Sequence, residues 1–416
     1  MEKLFTSFQS ITKTQTIKDS AIVVIGMGLS TVFSALSIFL LARFLGPTQF
    51  GFYTVALTLA VIIIDAIDLG ISSSIVKFGS QPINKESFIK YSFLLKLFIG
   101  LTLGILFAIF SQPLAGFLHP EIKKPLLYSS LIIPIIFLVR FPRSLLQSQK
   151  KFFLDTVIEV GTSFSRLGLV AVFYYFFQLT VIAGLMTYFL GNMAGFILGA
   201  CFISWRFFKA KITKITKQKF FHFQKWLTLG FILAAFHGRI DSTILLKFST
   251  PAEVGIYQAA YRFFMPALQL AAALSLVFAP RFASFANQLE ARQYLKKASQ
   301  LTFFLACAVL LIIPLSKFFI MLIFGRDYLS AVLPTQILSL GFFAFIAGAP
   351  YVSYLIYSAV KIKTFFYLSL FQLILIIALN LILIPKFQAV GTALAATITL
   401  IIVNLATAII SLKHQT

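Results

Sequence analysis

Apolar stretches recur along the whole chain, separated by short polar segments. A helix needs about 20 apolar residues to cross the ~30 Å hydrocarbon core of a bilayer. In the first half, stretches of this kind fall near residues 20–42, 51–76, 91–118, 125–147, 153–177 and 180–205. In the second half, they fall near residues 226–247, 253–279, 298–324, 330–358, 364–384 and 389–412. The pattern predicts an all-α integral membrane protein with about 12 transmembrane helices.

A strongly basic segment separates the two sets of apolar stretches. Residues 206–225, RFFKAKITKITKQKFFHFQK, carry seven Lys or Arg and no acidic residue. The other Lys and Arg concentrate at the two termini and in the even-numbered loops. By the positive-inside rule, this segment and both termini are predicted to be cytoplasmic. The predicted organisation is an N-terminal six-helix bundle (1–205), a basic cytoplasmic linker (206–225) and a C-terminal six-helix bundle (226–416).

Composition excludes several functional classes. A chain with 59% hydrophobic and 11% charged residues cannot be wrapped as a soluble core. The net charge of +23 does not indicate a nucleic-acid partner, because the basic residues flank apolar stretches rather than forming a basic domain. Two cysteines, Cys201 and Cys307, support neither a disulfide framework nor a cysteine metal site. No nucleotide loop, metal-ligand spacing or nucleophile motif is present, so we expect no cofactor and no enzymatic activity.

An internal repeat relates the two halves. Arg43 to Leu57, RFLGPTQFGFYTVAL, aligns without gaps on Lys247 to Tyr261, KFSTPAEVGIYQAAY, at a constant offset of 204 residues. Both copies join the first and second predicted helices of their half. Because each half contains an even number of helices, the two bundles are expected to be parallel repeats, related by an axis along the membrane normal, with a central cavity between them.

The repeat and three later stretches also resemble a known family. LLARFLGPTQFGFYTVALTLA at 40–60, followed by IDLGISSSIVKF, is similar to the opening signature of Wzx-type polysaccharide flippases in the MOP transporter superfamily. The stretches beginning at Asp241, Leu322 and Leu379 resemble that family in the same order. The resemblance covers essentially the whole chain, and it identifies the family rather than a substrate.

This resemblance implies a MATE-like MOP fold in the inner membrane of a bacterium. It also implies transport of undecaprenyl-diphosphate-linked oligosaccharide repeat units from the cytoplasmic to the outer leaflet, for O-antigen, capsule or another surface polysaccharide. The implied partners are this lipid-linked oligosaccharide, membrane lipids and other polysaccharide assembly proteins. The resemblance by itself nominates no site residue.

Charged residues inside the predicted spans are the candidates for substrate binding. A charge at the centre of a span costs about 2.5–3.5 kcal/mol on insertion scales, so such side chains usually face a wet cavity or a partner. Arg166, Arg239, Arg262 and Lys96 are the candidate cationic residues. Guanidinium groups bind phosphate through two parallel hydrogen bonds, which suits a diphosphate. The alternatives are that the arginines pair with Glu159, Asp241 or another carboxylate to hold helices together, and that Lys96 snorkels to the interface.

Acidic residues in the spans are candidates for coupling transport to H⁺ or Na⁺. Asp65 and Asp68 share a helical face with Ser72, and Asp155, Glu159, Thr162 and Arg166 form a stripe on another. The candidate coupling residues are therefore Asp65, Asp68, Asp241 and Glu159, because a carboxylate that binds an ion differently in two states biases their equilibrium. A structural ion pair is the alternative for Asp68.

Two other functions remain open from the residues. A MATE-type cation-coupled multidrug antiporter would be expected to present an acidic, aromatic cavity, whereas these spans hold at least as many bases as acids. A membrane glycosyltransferase or polymerase would be expected to carry a sizeable outer loop with catalytic polar residues, whereas the predicted outer loops are short. The flippase is the preferred interpretation, with movement by alternating access.

Overall fold

The computed structural model describes residues 2–80, 85–213, 216–218, 220, 239–285, 287–357 and 362–413. Within these ranges the regular structure is helical and includes no strand. The chain divides into two compact units, one formed by Met1–Leu41 with Ala56–Ala235 and the other by Ala42–Val55 with Phe236–Thr416. Residues 42–55, which the sequence assigns to the N-terminal bundle, therefore group with the second unit.

The named helices in the described part of the first unit number six. They are α1 (Glu2–Gly79, of which 42–55 belong to the second unit), α2 (Lys85–Leu118), α3 (Lys123–Ser129), α4 (Ile132–Ser148), α5 (Phe152–Phe176) and α6 (Val181–Phe202). Short 3-10 helices at Pro120–Ile122 and Trp205–Lys209 precede α3 and follow α6. The first residues of the basic linker therefore follow directly on α6 and belong to this unit.

The second unit contains seven described helices. They are α7 (Ile240–Phe248), α8 (Pro251–Arg262), α9 (Met265–Ser284), α10 (Gln288–Leu310), α11 (Ile312–Ile323), α12 (Val332–Tyr357) and α13 (Ile362–Lys413). Most of the predicted stretch 226–247, and the end of the basic linker, lie outside the described residues.

Seven helical segments of the described chain are long and apolar enough to cross a membrane, and the bent pair α10–α11 makes up to eight. Two of the seven, α1 and α13, each hold two predicted stretches, and each is broken at one non-helical residue, Gly46 or Gln388. The predicted apolar stretches 253–279 and 298–324 are each interrupted in the structure. The first divides between Arg262 and Met265, and the second bends by 51° at Leu311.

Proline explains where these two helices restart. Pro266 lies in the first turn of α9, and Pro314 is the third residue of α11. Proline lacks an N–H donor and fixes φ, so it loses no helical hydrogen bond in the first turn, whereas it removes one in the interior. Each apolar stretch therefore supplies two helices.

The outer face of α2 shows how the helices meet lipid. Large apolar side chains are exposed at three- and four-residue intervals, at Leu94, Phe98, Leu101, Ile105 and Ile109. The opposite face is buried, and Gly100 packs so closely on α4 that an added Cβ would lie 3.1 Å from the Phe137 Cβ. A stripe of exposed apolar residues at helical spacing on a helix of this length is typical of contact with acyl chains.

The two copies of the internal repeat adopt related backbone structures. In the first copy, Gly46 has a φ of +72°, which glycine tolerates, and Pro47 begins the next helical segment. In the second copy, the Thr250 side chain caps α8 by accepting from the Glu253 N–H, and Pro251 is its first residue. The repeated proline thus begins a helix in both copies.

The two copies also pack on each other, and the contact is reciprocal. A Cβ added at Gly51 would lie 1.8 Å from the Pro251 carbonyl oxygen, and one added at Gly255 would lie 2.0 Å from the Pro47 carbonyl oxygen. The glycine of each copy therefore receives the proline carbonyl of the other. No side chain fits at either glycine without moving a backbone, which explains why Gly recurs at this register of the repeat.

Candidate functional site

A polar cavity of about 160 Å³ opens within the first unit, between α1, α4, α5 and α6. Its charged lining consists of Arg140 and Arg143 from α4 and Glu159 and Arg166 from α5. A second cavity of about 260 Å³ shares the same two α4 arginines and extends along α4 to Gln147. Because Gln147 lies at the end of α4 next to a predicted cytoplasmic loop, Arg140 and Arg143 stand between that end and the first cavity.

Buried ion pairs join α1, α2 and α4 beside the cavity. The Lys96 Nζ donates to the Asp68 carboxylate at 2.6 Å, and both side chains are fully buried. Arg140 donates to Asp65 at 2.7 Å and to Asp68 at 3.3 Å. The Ser72 hydroxyl donates to Asp68 at 3.1 Å. Asp68 is thus surrounded by donors, which favours the structural interpretation of this residue.

This arrangement corrects the interfacial interpretation of Lys96. The residue does not snorkel, because Asp68 on α1 provides a counter-ion within the unit. Lys96 does not line the cavity either. It supports the cavity wall by fixing the carboxylate that Arg140 also contacts.

A second set of ion pairs joins α4 to α5. Arg143 donates through Nε to Asp155 at 2.7 Å and through Nη2 to Glu159 at 2.8 Å. These carboxylates are four residues apart, so they project from one face of α5 and fit the two prongs of one guanidinium. The Gln147 amide also donates to Asp155, at 2.8 Å. Glu159 consequently pairs with Arg143, not with Arg166 on its own helix.

Arg166 has a different environment. Its Nη2 donates to the hydroxyls of Ser34 at 3.3 Å and Ser163 at 3.2 Å, and its guanidinium lies 4.9 Å from the centre of the Tyr188 ring. The Nε atom is buried without a partner, and no carboxylate of the described residues forms an ion pair with this side chain. Arg166 therefore lines the cavity without a direct ion-pair partner among the described residues.

Glycines on α6 allow this arrangement. Gly191, Gly195 and Gly199 recur every four residues and form one face. A Cβ at Gly191 would lie 2.2 Å from the Arg166 Cγ, and one at Gly195 would lie 2.0 Å from the Thr162 Oγ1. Small residues let helices approach closely in membranes. Here the close approach of α6 confines the stem of Arg166 and directs its guanidinium toward Tyr188.

The remaining candidate residues lie in the second unit and do not line this cavity. Asp241 accepts hydrogen bonds from the Tyr257 hydroxyl and from the Ser242 N–H at 2.7 Å, and Gln258 donates to the Ser242 hydroxyl. Arg262 is buried with its guanidinium 5.9 Å from the centre of the Phe50 ring.

Arg239 immediately precedes α7, two residues before Asp241. Among the described residues, no group of three or more His, Cys, Asp or Glu side chains is placed to hold a metal ion.

Sequence reasoning missed the two arginines that organise the cavity. Arg140 and Arg143 lie within the apolar stretch 125–147 but close to its end, where basic residues are usually topological signals. The spacing of the charged residues does carry a signal. Arg140 and Arg143 are three residues apart, as are Asp65 and Asp68 on α1, and Asp155 and Glu159 are four apart on α5. Each pair projects from one face of its helix, so basic and acidic faces of neighbouring helices can meet.

The chain is similar to known proteins over most of its length. Residues 40–333 match the model of the family described as "Polysaccharide biosynthesis protein". A Shigella flexneri protein named "Putative O-antigen transporter" is 23% identical over 405 residues, covering 93% of this chain and 95% of that protein.

Solved structures share the fold. "Lipid II flippase MurJ, inward closed conformation" superposes with a TM-score of 0.79 at 18% identity, covering 94% of this chain and 87% of that one. The inward-facing conformation of a multidrug resistance MATE family transporter of the MOP superfamily superposes with a TM-score of 0.72 at 13% identity, covering 94% and 98%.

The family match covers more than half of the chain, and the solved structures establish the fold. Family and fold are those of membrane transporters and flippases rather than of enzymes. The apolar helices identify a multi-pass protein, and the bacterial relatives place it in the inner membrane. The chain belongs to the polysaccharide biosynthesis protein family and has the MOP transporter fold.

Proposed function

We propose that this protein moves an undecaprenyl-diphosphate-linked oligosaccharide repeat unit from the cytoplasmic to the outer leaflet by alternating access. The observation that carries the proposal is Arg166, a guanidinium that faces a cavity inside the membrane and has no carboxylate partner among the described residues. A charged side chain without a direct ion-pair partner at this depth is costly and needs a functional reason. An anionic group entering the cavity would supply that partner.

The shape and lining of the cavity support a diphosphate as the bound group. The volume of about 160 Å³ is below the ~300–1,000 Å³ of sites that enclose a whole small molecule, so the cavity accommodates a headgroup but not an oligosaccharide. Hydroxyls of Ser30 and Ser163 and the amide of Asn192 lie beside the charged groups. These neutral donors and acceptors suit the phosphate oxygens and the first sugar.

The second cavity suggests the direction of entry. It reaches Arg140 and Arg143 from Gln147, next to a predicted cytoplasmic loop. An anion arriving from that side would meet these two arginines before Arg166. This order agrees with capture of a substrate made on the cytoplasmic face, while its polyprenyl tail stays in lipid.

The test is complementation of a strain that lacks this protein. Arg166→Gln should reduce surface polysaccharide by at least tenfold at equal membrane abundance, because one charge-assisted bidentate contact to phosphate contributes about 1.5–3 kcal/mol. Undecaprenyl-linked repeat units should accumulate in the cytoplasmic leaflet. The matched control is Arg206→Gln, which removes an exposed arginine beyond α6 and should leave the glycan unchanged.

Two results would contradict the proposal. Normal polysaccharide in the Arg166→Gln strain would remove the cationic site from the transport route. An unchanged glycan in the deletion strain, together with new sensitivity to cationic drugs, would favour a multidrug antiporter instead.

A further inference from the structure

The four basic side chains around the cavity balance the four carboxylates before any substrate arrives. Five ion pairs join the basic side chains of Lys96, Arg140 and Arg143 to four carboxylates, Asp65, Asp68, Asp155 and Glu159. Arg166 adds a fourth basic side chain that lacks such a pair among the described residues. A diphosphate diester carries two negative charges, so Arg166 alone does not neutralise it.

A second cation therefore has to be released from its carboxylate when the substrate binds. Among the paired residues, only Arg140, Arg143 and Glu159 line the first cavity. Arg140 is held by Asp65 and Asp68, which are 11% and 0% exposed. Arg143 is held by Asp155, 9% exposed, and by Glu159, 30% exposed. The Arg143–Glu159 pair is the one that solvent and substrate reach.

We propose that Glu159 is a displaceable counter-ion. It occupies on Arg143 the position that a substrate phosphate takes, and it picks up one proton when the phosphate displaces it. The inference rests on the proposed function and adds a regulatory step to it. Arg143 then has two different partners. Its Nε keeps the hydrogen bond to Asp155, and its Nη2 donates to a phosphate oxygen instead of to Glu159.

Proton uptake by Glu159 reduces the excess of negative charge that the substrate brings. Once displaced, a Glu159 carboxylate would face two phosphate charges without its guanidinium, in a cavity inside the membrane. Like charges in such a site disfavour ionisation. The carboxylate therefore takes one proton from water and becomes the neutral acid, and the proton leaves again when Arg143 recovers Glu159.

The neighbours of Glu159 show why this role falls to it alone. The charged or titratable groups that line the cavity with it or contact its partner come from α4, α5 and α6. They are Arg140, Arg143, Asp155, Arg166 and Tyr188. Asp155 shares Arg143 but is also held by the Gln147 amide, so it keeps two donors when substrate binds. Asp65 and Asp68 act on Arg140 from the side of α1.

The experiment counts protons during binding to the purified full-length protein in detergent. The probe is farnesyl methyl diphosphate, whose two phosphates are both esterified and do not titrate near neutrality. Calorimetric titrations in buffers of different ionisation enthalpy give the number of protons taken up. We expect about one proton for the wild type and about none for Glu159→Gln, since the amide cannot be protonated.

Two further measurements sharpen the test. Glu159→Gln should bind the probe about fivefold more tightly at alkaline pH, because a competing, partly exposed ion pair contributes up to ~1 kcal/mol. The matched control Asp155→Asn, which alters the other carboxylate on Arg143, should still take up about one proton.

The wild type also provides a test that does not depend on any variant folding. Its dissociation constant should rise with pH by up to about tenfold per unit, because one proton is taken up on binding.

The possible outcomes distinguish the counter-ion role of Glu159 from the proposed transport function on which it rests. Binding without proton uptake in the wild type, or the same uptake in Glu159→Gln, overturns the counter-ion role and leaves the transport proposal intact. Absence of any binding of the probe by the wild type, with normal polysaccharide in the Arg166→Gln strain, overturns both.

Discussion

The two units hold buried carboxylates in different ways. In the first unit, Asp68 is bound by the ammonium of Lys96 and the guanidinium of Arg140. In the second unit, Asp241 is bound by neutral donors, the Tyr257 hydroxyl and the groups of Ser242. Removing one charged partner of a buried carboxylate leaves a buried ion less well paired, whereas removing a neutral donor costs one hydrogen bond. The two carboxylates should therefore differ in how strongly they respond to the loss of one described partner.

Removing Lys96 should break the first half of this comparison with the largest effect. Lys96→Met leaves Asp68 fully buried with Arg140 and Ser72 as its remaining donors. Breaking a buried pair costs about 3–5 kcal/mol, and the remaining partners place this case near the lower end. The measurement is the midpoint of thermal unfolding in detergent, monitored by circular dichroism.

A double variant tests whether charge or packing is responsible. Asp68→Asn with Lys96→Met removes both charges and should recover most of the lost stability, because no buried ion is left unpaired. If the double variant is as unstable as Lys96→Met, the lysine contributes through its shape rather than through the ion pair.

The reciprocal contact of the two repeats gives the next largest effect, now in the second unit. Gly255→Ala places a methyl group 2.0 Å from the Pro47 carbonyl oxygen, so a backbone must move at a cost of about 1–3 kcal/mol. Gly28→Ala is the matched control, since nothing lies within 4 Å of its added Cβ. Unfolding midpoints should fall for the first variant and stay level or rise for the second. Equal midpoints would show that the second unit relaxes around residue 255.

Removing a hydroxyl from Tyr257 should have the smallest effect and sharpens the contrast between charged and neutral donors. Tyr257→Phe takes one donor from Asp241 and should cost about 1 kcal/mol, because the buried acceptor loses one partner but keeps the Ser242 groups. Tyr188→Phe keeps the ring that faces Arg166 and should leave the unfolding midpoint unchanged. A larger loss for Tyr257→Phe than for Lys96→Met would invert the comparison.

Much of the fold follows from hydrophobic periodicity. The stretches predicted at 153–177 and 180–205 agree closely with α5 and α6, because an apolar run bounded by polar residues has few other ways to satisfy its backbone in lipid. The breaks at Arg262 and Leu311 lie just before Pro266 and Pro314. Proline in an apolar stretch marks a candidate interruption, but it does not decide whether the helix breaks there, since Pro142 is tolerated inside α4.

The candidate site was only partly predictable. The stripe of Glu159, Thr162 and Arg166 does line the cavity, since one helix fixes its own faces. Arg140 and Arg143 were missed because their importance lies in carboxylates on other helices. Partners in space are not encoded by spacing along one helix, so the ion pairs of Arg143 with α5 required the structure.

The reciprocal contact between Gly51 and Pro251, and between Gly255 and Pro47, has a consequence for how such a chain arises. It is an isologous contact, of the kind that two identical subunits form across a two-fold axis. In a dimer of half-length chains, a single Gly-Pro motif would satisfy both contacts, and one substitution would damage both. After duplication, each copy is free to change elsewhere, but the glycine of one remains tied to the proline of the other.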